Sequence, residues 1–285
     1  LKIIGGPSSQ TLACRVAAGL NLVPTITDYI RFPDNEQYLQ IKESVSGEEV
    51  VLIQSTTTDS DLVALLQLLD ACESASKITV VIPYMGYARQ DKKFKDGEAI
   101  SARAMARAVS AKNLEKIYTI NLHEKNILSY FTCPAEDLDA SKLIAEYVSE
   151  LGLERPLLIA PDKGVRDMVQ NMAAGLNLDW DVFDKTRLAG DTVVIEEKLM
   201  DIKGRDIIIV DDMIATGGTM AEAVNILDKN GARDVYVACI HPVLTRNAVL
   251  RLSNAGVKDI MATDTIEKIQ SRISTAPIIV EALKK

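Results

Sequence analysis

An apolar run, Ile207–Val210, ends in two adjacent acids, Asp211 and Asp212. Met213, Ile214 and Ala215 follow, and then Thr216-Gly217-Gly218-Thr219 opens a stretch of helical periodicity. Each part suits one task. Ligands bind beyond the carboxyl ends of strands in open α/β sheets. Glycines allow positive φ and close backbone approach. Successive N–H groups in such a turn can therefore face an anion, with the dipole of the following helix behind them. Two carboxylates beside that turn are acceptors for vicinal hydroxyls. The combination describes a site for a ribose phosphate. No Gly-Lys-Thr/Ser follows, so the loop is not of the Walker type.

Five further segments carry chemically capable groups. Ile82–Ser101 reads IPYMGYARQDKKFKDGEAIS, in which Arg89 offers a planar fork suited to polyphosphate. Lys92, Lys93 and Lys95 beyond it read as a solvated basic loop. INLHEKN (Ile120–Asn126) and APDKG (Ala160–Gly164) set His123 and Asp162 just past buried-strand candidates. RFPDNEQ, Arg31–Gln37, reads by itself as a surface hairpin, and FDKTRL, Phe183–Leu188, supplies the Lys185/Arg187 pair.

The elements that must position these residues alternate along the chain. Strand candidates are LKII (Leu1–Ile4), EVVLIQ (Glu49–Gln54), ITVVIP (Ile78–Pro83), KIYTIN (Lys116–Asn121), PLLIAP (Pro156–Pro161), DIIIVDD (Asp206–Asp212), DVYVACI (Asp234–Ile240) and DIMAT (Asp259–Thr263). Continuous apolar runs of this kind fit strands buried on both faces of a parallel sheet. Between them lie helix-period segments. Met220, Ala223, Val224 and Leu227 form one stripe with Gly231 as its stop. Ser101 is expected to N-cap a helix through Lys112. An offset of 158 residues sets Thr58 on Thr216, Leu69 on Leu227 and Asp70 on Asp228, and ITVVI on YVACI. The order strand, loop, helix, strand agrees in both copies, which points to internal duplication. The first copy carries Gln54, Ser55, Asp59 and Ser60 where the second carries acids and glycines. The fold class is α/β, with sheets covered by helices. The polar stretch Ser149–Pro156 marks a boundary between domains 1–149 and 150–285.

Composition narrows the function classes. The chain has 285 residues, enough for two domains at roughly 100–200 residues each. Its net charge of −8 argues against a partner that is a nucleic acid. No apolar run approaches the ~18–20 residues that span a bilayer, so no membrane association is expected. No charged n-region followed by an apolar h-region is present, so no secretory signal is expected. The four cysteines are far apart without a C-x-x-C pair, and there are two histidines. That argues against zinc and for reduced thiols in the cytoplasm.

The Asp211–Thr219 segment closely resembles the phosphoribosyl-diphosphate loop of the type I phosphoribosyltransferases. The other segments are similar to those of the ribose-phosphate diphosphokinase (phosphoribosyl-pyrophosphate synthetase) family. YMGYARQD nearly reproduces that family's P-Y-x-G-Y-A-R-Q-D signature, and RFPDNE its R-F-x-D-x-E. CIHPVLT near Cys239–Thr245 and the APIIVEAL tail extend the resemblance over nearly the whole chain.

The resemblance implies two phosphoribosyltransferase-like domains, each a mainly parallel sheet flanked by helices, with the last helix packing on the first domain. It implies transfer of the diphosphoryl group of Mg²⁺-ATP to the C1 hydroxyl of ribose 5-phosphate. ATP would meet Phe32, Asp34, Glu36, Arg89, Gln90 and His123, the first three donated by a neighbouring subunit. Ribose 5-phosphate would meet Asp211, Asp212 and Thr216–Thr219. His123 and Asp162 would help hold the metal, directly or through water, and Lys185 and Arg187 would be the catalytic cations. A homo-oligomer, a dimer or a hexamer, is implied. Asn121 and Asn126 depart from the family's Asp and Gln, and Ser46 stands where phosphate-controlled members carry Arg. Two rivals share part of this pattern. A phosphoribosyltransferase needs the Asp211–Thr219 loop but not the RFPDNE and YARQD segments. A non-catalytic partner subunit would lose or interrupt catalytic segments that here remain.

Overall fold

The computed structural model describes residues 1–110, 114–187, 193–196 and 202–285, with side chains described outside 184–201. They form two units. The first comprises Leu1–Asp139, Thr265–Glu267 and Ser274–Lys285, and the second Ala140–Asp264 and Lys268–Ile273.

In the first unit, β1 (Lys2–Gly5) leads to α1 (Gln10–Gly19), then a hairpin of β2 (Thr27–Arg31) and β3 (Gln37–Ile41). Next come β4 (Glu49–Ile53), α2 (Asp59–Ala71), β5 (Lys77–Ile82), α3 (Ser101–Val109), β6 (Lys116–Ile120) and β7 (Ala135–Leu138). The sheet order is β1-β4-β5-β6-β7, with every pair parallel. Leu52, Val80 and Ile117 face one layer with Leu65 and Leu68 of α2 and Ala102 and Ala106 of α3. α1 packs with the last helix of the chain. That helix is held to β6 by the Tyr118 hydroxyl, which donates to the carbonyl oxygen of Ala282 at 3.0 Å.

The second unit starts with α4 (Ser141–Glu150), β8 (Leu157–Ala160), α5 (Arg166–Leu176) and β9 (Asp179–Val182). A hairpin of β10 (Asp184–Arg187) and β11 (Val193–Glu196) precedes β12 (Asp206–Met213), α6 (Gly218–Lys229) and β13 (Asp234–His241). α7 (Ala248–Asn254), β14 (Val257–Thr263) and β15 (Ser271–Ile273) complete it, and α8 (Ala276–Leu283) returns to the first unit. The sheet order is β9-β8-β12-β13-β14-β15, again parallel throughout. Setting the edge strand β9 aside, the two sheets have one topology. Each runs strand, helix, antiparallel hairpin, strand, helix, strand, and the two hairpins stand at equivalent places. Ser149–Pro156 runs from the last residues of α4 to the start of β8, inside the second unit, and α4 packs on α5.

Candidate functional site

In the second unit, β12 is fully buried as far as Val210 and only half-buried from Asp211 onward. The strand therefore delivers Asp211 and Asp212 to the sheet's carboxyl edge. The backbone N–H of Asp212 donates to Asp211 Oδ1 at 2.9 Å. Burial, then the charge of Asp212 and its hydrogen bond, then Asp162 push the Asp211 carboxyl up to about 8. Asp162, exposed beyond β8, accepts from the N–H of Gly164 at 2.9 Å. Three carboxyls thus repel one another at the ends of two adjacent strands. All-oxygen donors of this kind suit Mg²⁺, which keeps several waters and is completed by substrate phosphates. Among the described residues no group of three His, Cys, Asp or Glu side chains is arranged to hold a metal ion.

The loop beyond has a built-in need for glycine. Gly217 is the N-cap of α6 at φ +70°, the left-handed region. A Cβ there would lie 3.2 Å from Leu252 Cγ and 3.4 Å from the carbonyl oxygen of Ala248. Thr216 and Thr219 are exposed on either side. Gly217 has no side chain to cap the helix, so the start of α6 is not closed by one. The matching start of α2 is closed. Thr58 Oγ1 accepts from the N–H of Asp61 at 3.2 Å, and Asp61 Oδ2 accepts from the N–H of Thr58 at 2.8 Å. This reciprocal capping box puts the protein's own carboxylate at the first helix. Of the two topologically equivalent helix starts, one has no side-chain cap and the other is filled by its own carboxylate.

In the first unit the expected residues fall at the same carboxyl edge. Gly86 passes so close to β4 that a Cβ would lie 2.1 Å from the carbonyl oxygen of Thr56. Tyr87 follows at φ +63°, unusual for an aromatic residue, and its hydroxyl bonds to Asp59 Oδ1 at the start of α2. Arg89 is exposed and Gln90 half-buried. Gln90 Oε1 accepts from Ser101 Oγ at 3.3 Å, which corrects the expected cap: Ile100 is the N-cap and the Ser101 hydroxyl is committed to the loop. The helix ends at Val109, and 111–113 lie outside the described residues. Asp91, nearly buried, accepts from Asn126 Nδ2 at 3.2 Å, while the Tyr130 hydroxyl donates to its carbonyl oxygen at 2.8 Å. This link joins the Arg89–Gln90 loop to the His123 segment, and the sequence signal for it is Asp91 at the end of YARQD. His123 itself is exposed just beyond β6.

Phe32, Asp34 and Glu36 crown the β2–β3 hairpin, all exposed. Asp34 Oδ1 accepts from the N–H of Glu36 at 3.1 Å, and Asn35 takes φ +72° at the tip. Phe32 is 48% exposed and meets Tyr38 edge-on with ring centroids 6.3 Å apart. Glu36 and Asp59 line one groove of about 400 Å³ between the hairpin and α2. Lys185 and Arg187 are on β10, opposite Ile195 and Val193 of β11, and their side chains lie outside the described residues. The structure thus gathers Asp162, Asp211, Asp212 and Thr216–Thr219 in the second unit. It gathers Arg89, Gln90 and His123 on linked loops of the first. Arg251 of α7, which sequence reasoning missed, also touches the phosphate-type loop: a Cβ at Gly218 would lie 3.4 Å from its Nη1.

Comparison with known proteins adds independent findings. Residues 1–112 match the family model described as the N-terminal domain of ribose phosphate pyrophosphokinase. Residues 127–273 match that of the phosphoribosyl transferase domain. The chain is 61% identical over 283 residues to the ribose-phosphate pyrophosphokinase of Methanosarcina mazei, covering 99% of this chain and 95% of that one. It is 60% identical over 285 residues to that of Methanosarcina acetivorans, covering 100% of both. Among solved structures, phosphoribosylpyrophosphate synthetase from Mycobacterium smegmatis superposes with a TM-score of 0.83 at 30% identity, covering 99% of this chain and 97% of that one.

Proposed function

The chain belongs to the ribose-phosphate pyrophosphokinase family, and from that premise we propose which of its residues carry the chemistry. The enzyme transfers the diphosphoryl group of ATP to the C1 hydroxyl of ribose 5-phosphate, giving 5-phosphoribosyl 1-diphosphate and AMP. The C1 oxygen forms a bond to the β-phosphorus of ATP as the bond from that phosphorus to the α-phosphate oxygen breaks. No protein nucleophile is needed, so catalysis is positioning and charge stabilisation.

The contrast between the two helix starts carries the assignment of the sugar phosphate. The 5-phosphate sits on Thr216–Thr219, where α6 begins without a side-chain cap, and the ribose hydroxyls face Asp211 and Asp212. The first unit cannot take the same role, because Asp61 already fills the equivalent turn. ATP engages Arg89 through its phosphates and Gln90 near its base, with His123 beside the phosphates. His123 and Asp162 would help hold Mg²⁺ together with the phosphates, and the bound ion would supply charge neutralisation on the transferred group and on the leaving AMP. Lys185 and Arg187 close over the transferred group. Phe32, Asp34 and Glu36 reach the adenine of a neighbouring subunit. An exposed aromatic ring flanked by acids on a projecting hairpin supports that reading, and it makes the protein at least a homodimer. The four cysteines are unpaired, which suits a reducing cytoplasm. No helix among the described residues is long and apolar enough to cross a membrane.

A ³¹P NMR time course with ATP, ribose 5-phosphate and Mg²⁺ tests the reaction. AMP and a new diphosphate ester should appear in equal amounts and only with the sugar present. ADP with a sugar monophosphate ester would mean an ordinary kinase instead.

A further inference from the structure

We propose that Asp137 is a positioning residue for His123, acting through the backbone amide of Leu122. The proposal rests on the reading that His123 faces the nucleotide phosphates. Asp137 is at the end of β7, one strand over from the His123 segment. Its carboxylate accepts from Thr119 Oγ1 at 2.7 Å and from the N–H of Leu122 at 3.0 and 3.2 Å to its two oxygens. The chain between these donors turns sharply. Asn121 takes φ +42°, its N–H donates to the carbonyl oxygen of Leu138 at 2.9 Å, and its Nδ2 donates to Asp139 Oδ1 at 3.0 Å. Asn tolerates the left-handed region better than most residues because its short polar side chain bonds locally.

The residue before His123 is thus fixed at its amide, and the residue before that at both backbone and side chain. A carboxylate is an expensive way to satisfy one amide, since burying charge opposes folding unless it is fully hydrogen-bonded. What it adds is strength and direction. Charge-assisted bonds to an amide and a hydroxyl are shorter and stiffer than neutral ones. A ligand-binding side chain held by such an outer group keeps its orientation without needing the ligand to impose it. Strand β7 therefore does more than close the sheet edge: it fixes the exit direction of β6.

Four variants decide the matter: Asp137→Ala, Asp137→Asn, His123→Ala and the double variant Asp137→Ala/His123→Ala. Steady-state kinetics are read against Mg-ATP and ribose 5-phosphate separately, with thermal unfolding beside them. Asp137→Ala should lower kcat/KM for Mg-ATP by roughly 10–100-fold, the range seen when an outer partner of a metal-binding group is lost. The KM for ribose 5-phosphate should stay within about twofold, since the sugar is read in the other unit. Asp137→Asn keeps an acceptor oxygen and should recover most of the loss even if Asp137→Ala folds poorly. The double variant should be no slower than His123→Ala, because both act through one group. Losses that multiply in the double variant, or equal losses toward both substrates, would overturn the proposal.

The chain has two histidines, His123 and His241, so the imidazole NMR signals give a reading independent of turnover. Asp137→Ala should shift or broaden the His123 ring signals and leave those of His241 unchanged; unmoved His123 signals in that variant would also overturn the positioning role. Should His123→Ala retain full activity while these signals move, the nucleotide reading of His123 fails and the positioning contact stands.

Discussion

Arg251 Nη1 donates to the carbonyl oxygen of Thr216 at 2.9 Å, so a residue of α7 pins the turn that opens α6. Its Nη2 is held by Asn247 Oδ1 at 3.3 Å, which orients the guanidinium along the loop. On the proposed reading this turn holds the 5-phosphate, and Arg251 steadies it by holding the Thr216 carbonyl. Arg251→Ala should raise the KM for ribose 5-phosphate by about tenfold, equivalent to the ~1.5 kcal/mol of a hydrogen bond from a charged donor. The KM for Mg-ATP should hardly move. Equal effects on both substrates would show that the variant acts on folding.

Asp211 gives a prediction about pH. Its folded-state value is raised, so the folded protein holds a proton that the unfolded chain has lost. Stability from this group is complete below the ordinary carboxylate range and is lost as pH rises toward about 8. Asp211→Asn should therefore raise the Tm, and the gain should grow between pH 5 and pH 8. Mg²⁺ added to the native protein should likewise raise the Tm more at pH 8 than at pH 5. A gain independent of pH would contradict a carboxyl raised by burial and by the neighbouring Asp212 and Asp162.

A second stability test lies at the opposite end of the same sheet. Asp206 is fully buried and meets Arg233 through two bonds of 2.9 and 2.8 Å, while the N–H of Glu154 donates to it at 2.7 Å. Arg233→Met leaves a buried carboxylate without its partner and should cost about 3 kcal/mol in urea unfolding, with KM values unchanged. A cost below ~1 kcal/mol would mean that water replaces the guanidinium freely.

Lys185→Ala should lower kcat by roughly 10²–10³, as expected for a positioned charge at the transferred group. A near-normal rate would remove Lys185 from the chemistry.

Ser46 leads to a regulatory prediction. It is exposed beside Gly47 at φ +73°, and its N–H donates to Ser44 Oγ at 3.3 Å. A serine supplies no fixed charge for a separate anion site here, so inhibition by ADP should be competitive with ATP and weak elsewhere. Strong inhibition that is non-competitive with ATP would contradict this.

All eight strands named from apolar runs are present, because a strand buried on both faces leaves an unbroken signal. β7, β9 and β15 were not legible. AEDL and DWDV mix charged with apolar residues at sheet edges, and SRI is three residues long. The Asp211–Thr219 turn was readable because its glycines and acids answer backbone needs. The supports were not. Asp137 and Arg251 act on a carbonyl or an amide distant in sequence, and such bonds leave no local pattern. Ser101 shows the converse: a good capping residue by type was diverted to Gln90 by the loop packed against it.

The return of α8 to the first unit has a consequence for the life of the chain. Ile279 is fully buried, and Gly19 of α1 packs so closely on Val280 that a Cβ would lie 2.8 Å from its Cγ2. The unit translated first is therefore finished last, after the whole second unit has emerged from the ribosome. A lesion near residue 280, such as a stop codon or a bulky insertion, would spare the second unit nearby in sequence. It would instead strike the first unit, whose own coding began more than two hundred residues earlier.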